Sequence, residues 1–307
     1  MKKIFLILIF LFNVNNLHAA QSKIVYKIKN EIITNVDIKN EFNYLLALNN
    51  ELKNLENEKI FNIATKSIIR EKVKKIELTK AFKDLKIDDQ YFKLIIEMMY
   101  SNLNLKSLQE FKNYLKTYDV KFSKVKEKVI IDALWNQLII KKYNSQINID
   151  VEKIKREINS SKTLTSKSYL LSEIVYEIQS KEEINVKYNV IKKSIKEVGF
   201  ENTVLIYSVS DSSSRSGKIG WVNDKSLSKL IMDNISNIEI NEISRPIKIS
   251  GGVLILKLDD IREDQIEVNA EEELKKIINY QKSEQLNQYS KIYFNNLKKN
   301  LDINEYR

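Results

Sequence analysis

Only one proline, Pro246, stands in this 307-residue chain, and two of its five glycines, Gly251 and Gly252, follow close behind it. A chain so poor in helix breakers is free to run in long helices. Proline removes a backbone donor, and glycine carries the largest entropic cost of ordering. The stretch that gathers these residues, SRPIKISGGVLILKLDDIR at 244–262, is therefore where the chain must do something else. Arg245-Pro246 fits in or beside an edge strand, where a missing N–H is tolerated. Gly251-Gly252 supplies a tight turn, and Val253 to Leu258 returns as a mostly apolar, buried strand.

Away from this stretch, the pattern divides the chain into three parts. Residues 23–34, SKIVYKIKNEII, predict two short strands about a turn at Lys29-Asn30-Glu31, and Thr34 or Asn35 caps a helix to about Asn49. Glu58 to Leu85 carries Ile60, Ile63, Ile68, Ile69, Val73, Ile76 and Leu78 at helical spacings. Asp88 or Asp89 caps a further helix to Tyr100, and Ser107 with Glu110 forms a capping-box pattern. Ser123 opens a long helix to Lys142, and Asp150 a short one to Ile158. A small polar linker, NSSKTLTSK at 159–167, ends this helical region. Mixed strands and helices follow: a strand at 169–178, a helix at 182–198, a run at 204–209 of ambiguous period, a loop at 211–221 and a short helix from Leu227 to Ile235. From Asn269 the texture turns helical again, with Leu274, Ile277, Ile278, Leu286, Tyr289, Ile292 and Tyr293 on one face. A terminal helix of that length must bury its apolar face, and the nearest helical surface is the N-terminal region. The mixed segment thus reads as an α+β domain inserted into one discontinuous, mainly α-helical domain, with polar segments at 159–167 and 263–269 as its two connections.

The opening residues, MKKIFLILIFLFNVNNLHAA, have the layout of a secretory signal peptide over 1–20. Lys2 and Lys3 precede the short apolar run Ile4 to Phe12, and Leu17-His18-Ala19-Ala20 offers small residues for cleavage. That run is too short to span a bilayer comfortably, and no other stretch is long and apolar enough, so no stable membrane insertion is expected. The chain has no cysteine, and His18, its one histidine, lies in the signal. The mature protein then has neither residue, which excludes disulfides, thiol catalysis, Ser-His-Asp triads and zinc sites built on His or Cys. The expected compartment is a bacterial periplasm. No Gly-rich phosphate loop appears, so no nucleotide cofactor is expected, and no metal either. The formal charge of +10 is spread among Glu and Asp along helical patterns. It reads as solvated helix faces with a mild preference for anionic partners, not as a nucleic-acid footprint.

Three segments carry a resemblance. Ile243-Ser244-Arg245-Pro246-Ile247 followed by Ile255-Leu256-Lys257-Leu258-Asp259-Asp260-Ile261-Arg262 resembles the end of a parvulin-type peptidyl-prolyl isomerase domain. Leu171-Ser172-Glu173-Ile174-Val175 resembles that family's opening strand, and Tyr207-Ser208 through Gly217-Lys218-Ile219-Gly220-Trp221 resembles its central loop. The signal, then IVYKIKNEIITNVDI, then helices, is similar to the SurA-type periplasmic chaperones. That resemblance implies a chaperone core over 21–160 completed by a C-terminal helix over 264–307, around a single parvulin-like domain over 165–262. It also implies three site positions: Glu173 and Leu254 stand where the family carries its two histidines, and Asp211 or Ser210 stands near its acidic position. With both histidines replaced, Glu173, Asp211 and Leu254 form a degenerate catalytic set. Leu254 can neither donate nor accept, and Glu173 reads as a charge at the sheet edge, because burial without a partner is costly.

The function expected is an ATP-independent periplasmic chaperone for unfolded polypeptides, outer-membrane protein precursors above all, with an isomerase domain of weak or no activity. Met98, Met99, Tyr100, Leu134, Trp135 and Trp221 are the candidates for an adaptable peptide-binding surface, because Met and aromatic side chains accommodate varied segments. An active exported prolyl isomerase and a structural envelope protein with a vestigial isomerase fold are the alternatives.

Overall fold

The chain opens in a hairpin, β1 (Ile24–Ile28) and β2 (Glu31–Thr34), with Ile28 opposite Glu31. The computed structural model describes residues 22–160, 165–265 and 270–306. The expected signal peptide therefore lies outside the described residues, as do 161–164 and 266–269 of the two expected connections. Thr34 caps α1 (Asn35–Leu48) through a capping box. Its hydroxyl accepts from the Asp37 N–H, and the Asp37 carboxylate accepts from the Thr34 N–H. α2 (Asn57–Ala81), α3 (Asp89–Asn102), α4 (Leu108–Thr117), α5 (Phe122–Tyr143) and α6 (Val151–Ser160) follow. Asp88 caps α3 by accepting from the N–H groups of Gln90 and Tyr91, and Ser107 caps α4 by accepting from Glu110. The Glu110 carboxylate reaches back to the Lys106 N–H, one residue beyond the expected box. α5 starts at Phe122 without a side-chain cap, so Ser123 lies inside the helix.

The mixed segment contains β3 (Thr165–Tyr176), α7 (Glu183–Val198), α8 (Phe200–Tyr207), β4 (Lys218–Asn223), α9 (Lys229–Ile235), β5 (Ile247–Ile249) and β6 (Gly252–Gln265). The sheet is antiparallel in the order β4-β3-β6-β5. Pro246 directly precedes the edge strand β5, where its missing donor costs no ladder bond. Gly251 and Gly252 make the turn into β6 at φ 98° and 151°. Along β6 the side chains alternate between two buried faces. Leu254, Leu256 and Leu258 pack with Tyr169, Leu171 and Val175, while Val253 and Ile255 pack with Ile174, Ile191 and Val204. Burial on both faces is why VLILKL reads as a nearly continuous apolar run. The ambiguous run at 204–209 is mostly helix. Val204 of α8 packs under the sheet, whereas Leu205 and Ile206 face Leu52, Leu55, Ile60 and Ile63 of the helical region. Apolar burial on two sides erased its period. The expected loop at 211–221 is a 3₁₀ turn at Asp211–Arg215 leading into β4.

α10 (Ala270–Lys299) closes the fold, followed by β7 (Ile303–Glu305), which pairs with β1 into a small sheet β2-β1-β7. The sequence pattern did not reveal β7. Leu286, Tyr289, Tyr293, Phe294 and Leu297 of α10 pack on Leu78, Ile131, Leu134, Trp135 and Leu138, and farther up the helix Ile277 packs on Ile154 and Ile158. The fold is a mainly helical core, built from the N-terminal region and α10, with an inserted α+β domain. The cover from α10 corrects one expectation. Leu134 is 2% and Trp135 0% exposed, and the indole stacks on Tyr293 at 5.7 Å. Both belong to the core and not to a peptide-binding surface. Among the described residues, no helix is long and apolar enough to cross a membrane.

Candidate functional site

Glu173 lies on β3, which is an inner strand flanked by β4 and β6. Its backbone N–H donates to the Gly217 carbonyl at 2.8 Å, which brings the 210–217 loop down onto the strand. Only glycine permits this approach. Gly217 sits at φ 81°, and a Cβ there would stand 2.4 Å from the Glu173 carbonyl oxygen. The descending loop delivers hydroxyls to the Glu173 carboxylate. Ser210 Oγ and Ser212 Oγ both donate to Oε1, the latter at 2.8 Å, and Lys291 Nζ of α10 lies 3.8 Å from the same oxygen. The Glu173 side chain is 13% exposed. The expectation of a sheet-edge charge is thus corrected. Glu173 is an inner, largely buried carboxylate, and its burial is offset by two hydroxyl donors and an ammonium.

Leu254, on the neighbouring strand, is 6% exposed and belongs to the apolar cluster of the sheet. It nevertheless lines the same cleft as Glu173. Asp211 points away from that cleft. Its Oδ2 accepts from Ser290 Oγ of α10 at 3.1 Å, and its Oδ1 lies 3.5 Å from Lys74 Nζ of α2. Burial alone would raise the Asp211 carboxyl, but Lys74, Arg70, Ser290 and Lys291 hold it below the usual range. Burial likewise works against the Lys74 ammonium, yet Asp132 and Asp211 raise it above the ordinary lysine value. Glu173 and Leu254 therefore share a site, and Asp211 does not share it with them.

The cleft has a volume of about 1210 Å³ and opens between the inserted domain and α10. Leu227, Leu230, Ile231 and Ile249 form part of one wall, and Tyr280 and Glu284 part of the other. Burial pushes the Glu284 carboxyl up, and the nearby Glu173 charge adds to this against Lys291. Tyr280 is raised by its burial and by the same two carboxylates. The sequence named Ser210 only as an alternative to Asp211, and it did not point to Ser212, Lys74, Glu284, Ser290 or Lys291. One signal for them was present: the serine-rich run VSDSSSRSG falls where the resemblance placed an acidic position.

Prolyl isomerisation carries an uncatalysed barrier of about 20 kcal/mol, and lowering it needs a pocket that favours the twisted amide over both planar forms. Of the two positions that the resemblance assigns to histidines, one is here an apolar leucine. The other is an acceptor whose Oε1 already takes two serine hydroxyls and faces an ammonium.

Residues 172–260 match the rotamase family described as the PPIC-type PPIASE domain. The inserted domain is similar to PPIC-type peptidyl-prolyl isomerases. Solved structures similar to the chain include a PpiC-type peptidyl-prolyl cis-trans isomerase domain, 23% identical, covering 32% of this chain and 94% of its own, with a TM-score of 0.29. Peptidylprolyl isomerase PrsA from Bacillus cereus is 18% identical over 91% of this chain and 92% of its own, with a TM-score of 0.29. A SurA-like chaperone from Campylobacter jejuni is 15% identical over 92% of this chain and 99% of its own, with a TM-score of 0.36. No curated protein matches the sequence.

The remaining peptide-binding candidates divide. Met98 is 66% exposed on α3, beside Tyr91 at 43% and Leu94 at 59%, which the sequence pattern had not singled out. Met99 and Tyr100 pack inward, against the cluster of Phe111, Leu115 and Val125. Trp221 lies at the surface of the rotamase-like domain, with the Arg262 guanidinium 4.5 Å above its ring.

Proposed function

We propose that this protein is an exported, ATP-independent chaperone that holds unfolded polypeptide, and that its rotamase-like domain contributes a wall of the holding surface without isomerase catalysis. One observation carries this reading. The cleft of about 1210 Å³ exceeds the roughly 300–1,000 Å³ usual for small ligands, and Glu173 within it already has its Oε1 taken by Ser210 and Ser212. A wide, partly apolar surface without a poised catalytic group suits reversible capture of varied chain segments. The apolar stripe Tyr91, Leu94 and Met98 on α3 adds a second exposed surface of the same character. The client class is the one that the resemblance to SurA-type chaperones implies: outer-membrane protein precursors newly delivered to the periplasm.

The test is aggregation of a urea-denatured outer-membrane β-barrel protein after dilution, followed by light scattering with and without the chain from Gln21 onward. Suppression in the absence of ATP is the expected result, and scattering equal to the buffer control refutes the reading. A proline-limited refolding reaction run beside it separates the active-isomerase alternative. No acceleration is expected.

A further inference from the structure

The seam between the rotamase-like domain and the helical core is apolar at its edge, where α8 meets Leu52 and Ile60, and polar at its centre. The centre is the 3₁₀ turn at Asp211–Arg215, whose adjacent residues face opposite ways. Asp211 reaches out to the core, to Lys74 of α2 and Ser290 of α10, and Ser290 Oγ in turn accepts from the buried Trp135 Nε1 at 2.9 Å. Ser212 turns back to Glu173, which meets Lys291 of α10. Around this centre Ser213 Oγ accepts from Arg70 and Ser216 Oγ from Asn49, each at 3.1 Å, and the Ile206 carbonyl accepts from Lys66. The inserted domain thus presents two carboxylates, and the core meets each with an ammonium from a different helix. If the domains part, Glu173 keeps its serines and loses Lys291, while Asp211 loses Lys74 and Ser290.

We propose that two carboxylates of the inserted domain, Asp211 and Glu173, act as a domain latch. Asp211 and Glu173 clip the inward face of the inserted domain shut on α2 and α10, and the cleft opens when these two ion pairs part. The latch holds whatever the cleft binds, so it stands apart from the chaperone reading. Hydrogen bonds to charged groups in such a setting are worth enough that losing one partner shifts the closed-to-open ratio by about tenfold or more.

The chain has no cysteine, so two can be introduced for spin labels at exposed lysines, Lys193→Cys on α7 and Lys141→Cys on α5. Electron-electron resonance then reads the distance between the domains. The parent gives one narrow distribution, and Asp211→Asn or Glu173→Gln adds a second, longer one. Asp132→Asn is the control. It removes the other carboxylate on Lys74, but from within the helical core, and it leaves the parent distribution unchanged. An unchanged distribution in both latch variants with a cooperative melt intact overturns the proposal, and so does equal opening by Asp132→Asn. Should a latch variant fail to fold, Arg70→Met cuts the bond to Ser213 and removes a positive charge that acts on Asp211. A smaller shift in the same direction is then expected, and no shift overturns the latch.

Discussion

Lys128 on α5 reaches into the helical core between two carboxylates, and replacing it with methionine tests how that core is held together. Its Nζ lies 2.8 Å from Glu41 Oε2 of α1 and 2.5 Å from Glu71 Oε2 of α2. Ser67 donates to the other oxygen of Glu41 at 2.6 Å, and the ammonium sits 4.9 Å above the Tyr44 ring. The three charged side chains are only 12%, 4% and 6% exposed. Among the described residues Glu71 Oε1 finds no hydrogen-bond partner, so the triad is already one donor short. Lys128→Met leaves two carboxylates facing each other in a poorly solvated site. Breaking a buried pair from one side costs about 3–5 kcal/mol, against about 1.5–3 kcal/mol for an ordinary hydrogen bond to a charge. Replacing all three charges with methionine removes the stranded groups as well and is expected to recover most of that loss. Urea unfolding followed by far-UV circular dichroism gives both values by linear extrapolation. A cost below about 1 kcal/mol for Lys128→Met, or a triple variant no more stable than the single one, refutes the reasoning. The pH dependence supplies a second check. Burial opposes the Lys128 charge, but Glu41 and Glu71 raise the ammonium above its ordinary value of 10.5. The stabilisation is therefore complete below that value, and the gap between parent and Lys128→Met narrows as the pH rises beyond it.

Three further outcomes are expected. Gly217→Ala places a methyl 2.4 Å from the Glu173 carbonyl oxygen at a left-handed φ, so it costs more than the roughly 1 kcal/mol of an unfavourable φ alone, measurable as a lowered midpoint of the rotamase-like domain. On the acid side, burial of Glu127 is outweighed by Lys75 and Lys124, which hold its carboxyl down at about 2 against an ordinary 4.5. Its stabilisation is present above pH 4.5 and lost as the pH falls toward 2, so Glu127→Gln should flatten that part of the acid-unfolding curve. Leu94→Ser with Met98→Ser alters side chains that are 59% and 66% exposed, and is expected to weaken aggregation suppression without lowering the melting temperature.

Much of the architecture could be read locally. The capping boxes and caps at Thr34, Asp88 and Ser107 are contacts within one helical turn, and the sequence spells them out directly. The apolar run from Val253 to Leu258 and the turn at Gly251-Gly252 likewise announced their strand. The orphan face of α10 announced an inserted domain, because a helix with seven large apolar residues on one side must find a surface to cover.

The tertiary structure decided which surface each stripe met. The stripes of α3 and α5 look alike in sequence, yet α10 lies over Leu134 and Trp135 and leaves Met98 in solvent. The fates of the site residues were equally out of local reach. Glu173 takes its partners from Ser212, 39 residues away, and from Lys291 on the last helix, and Trp135 meets Ser290 across 155 residues. Periodicity fixes that a face needs burial and that a cap needs a donor, because those requirements are met within a few residues. Whether a carboxylate becomes a catalytic group, a surface charge or half of an ion pair depends on what the folded chain brings within about 4 Å of it, and only the assembled structure sets that distance.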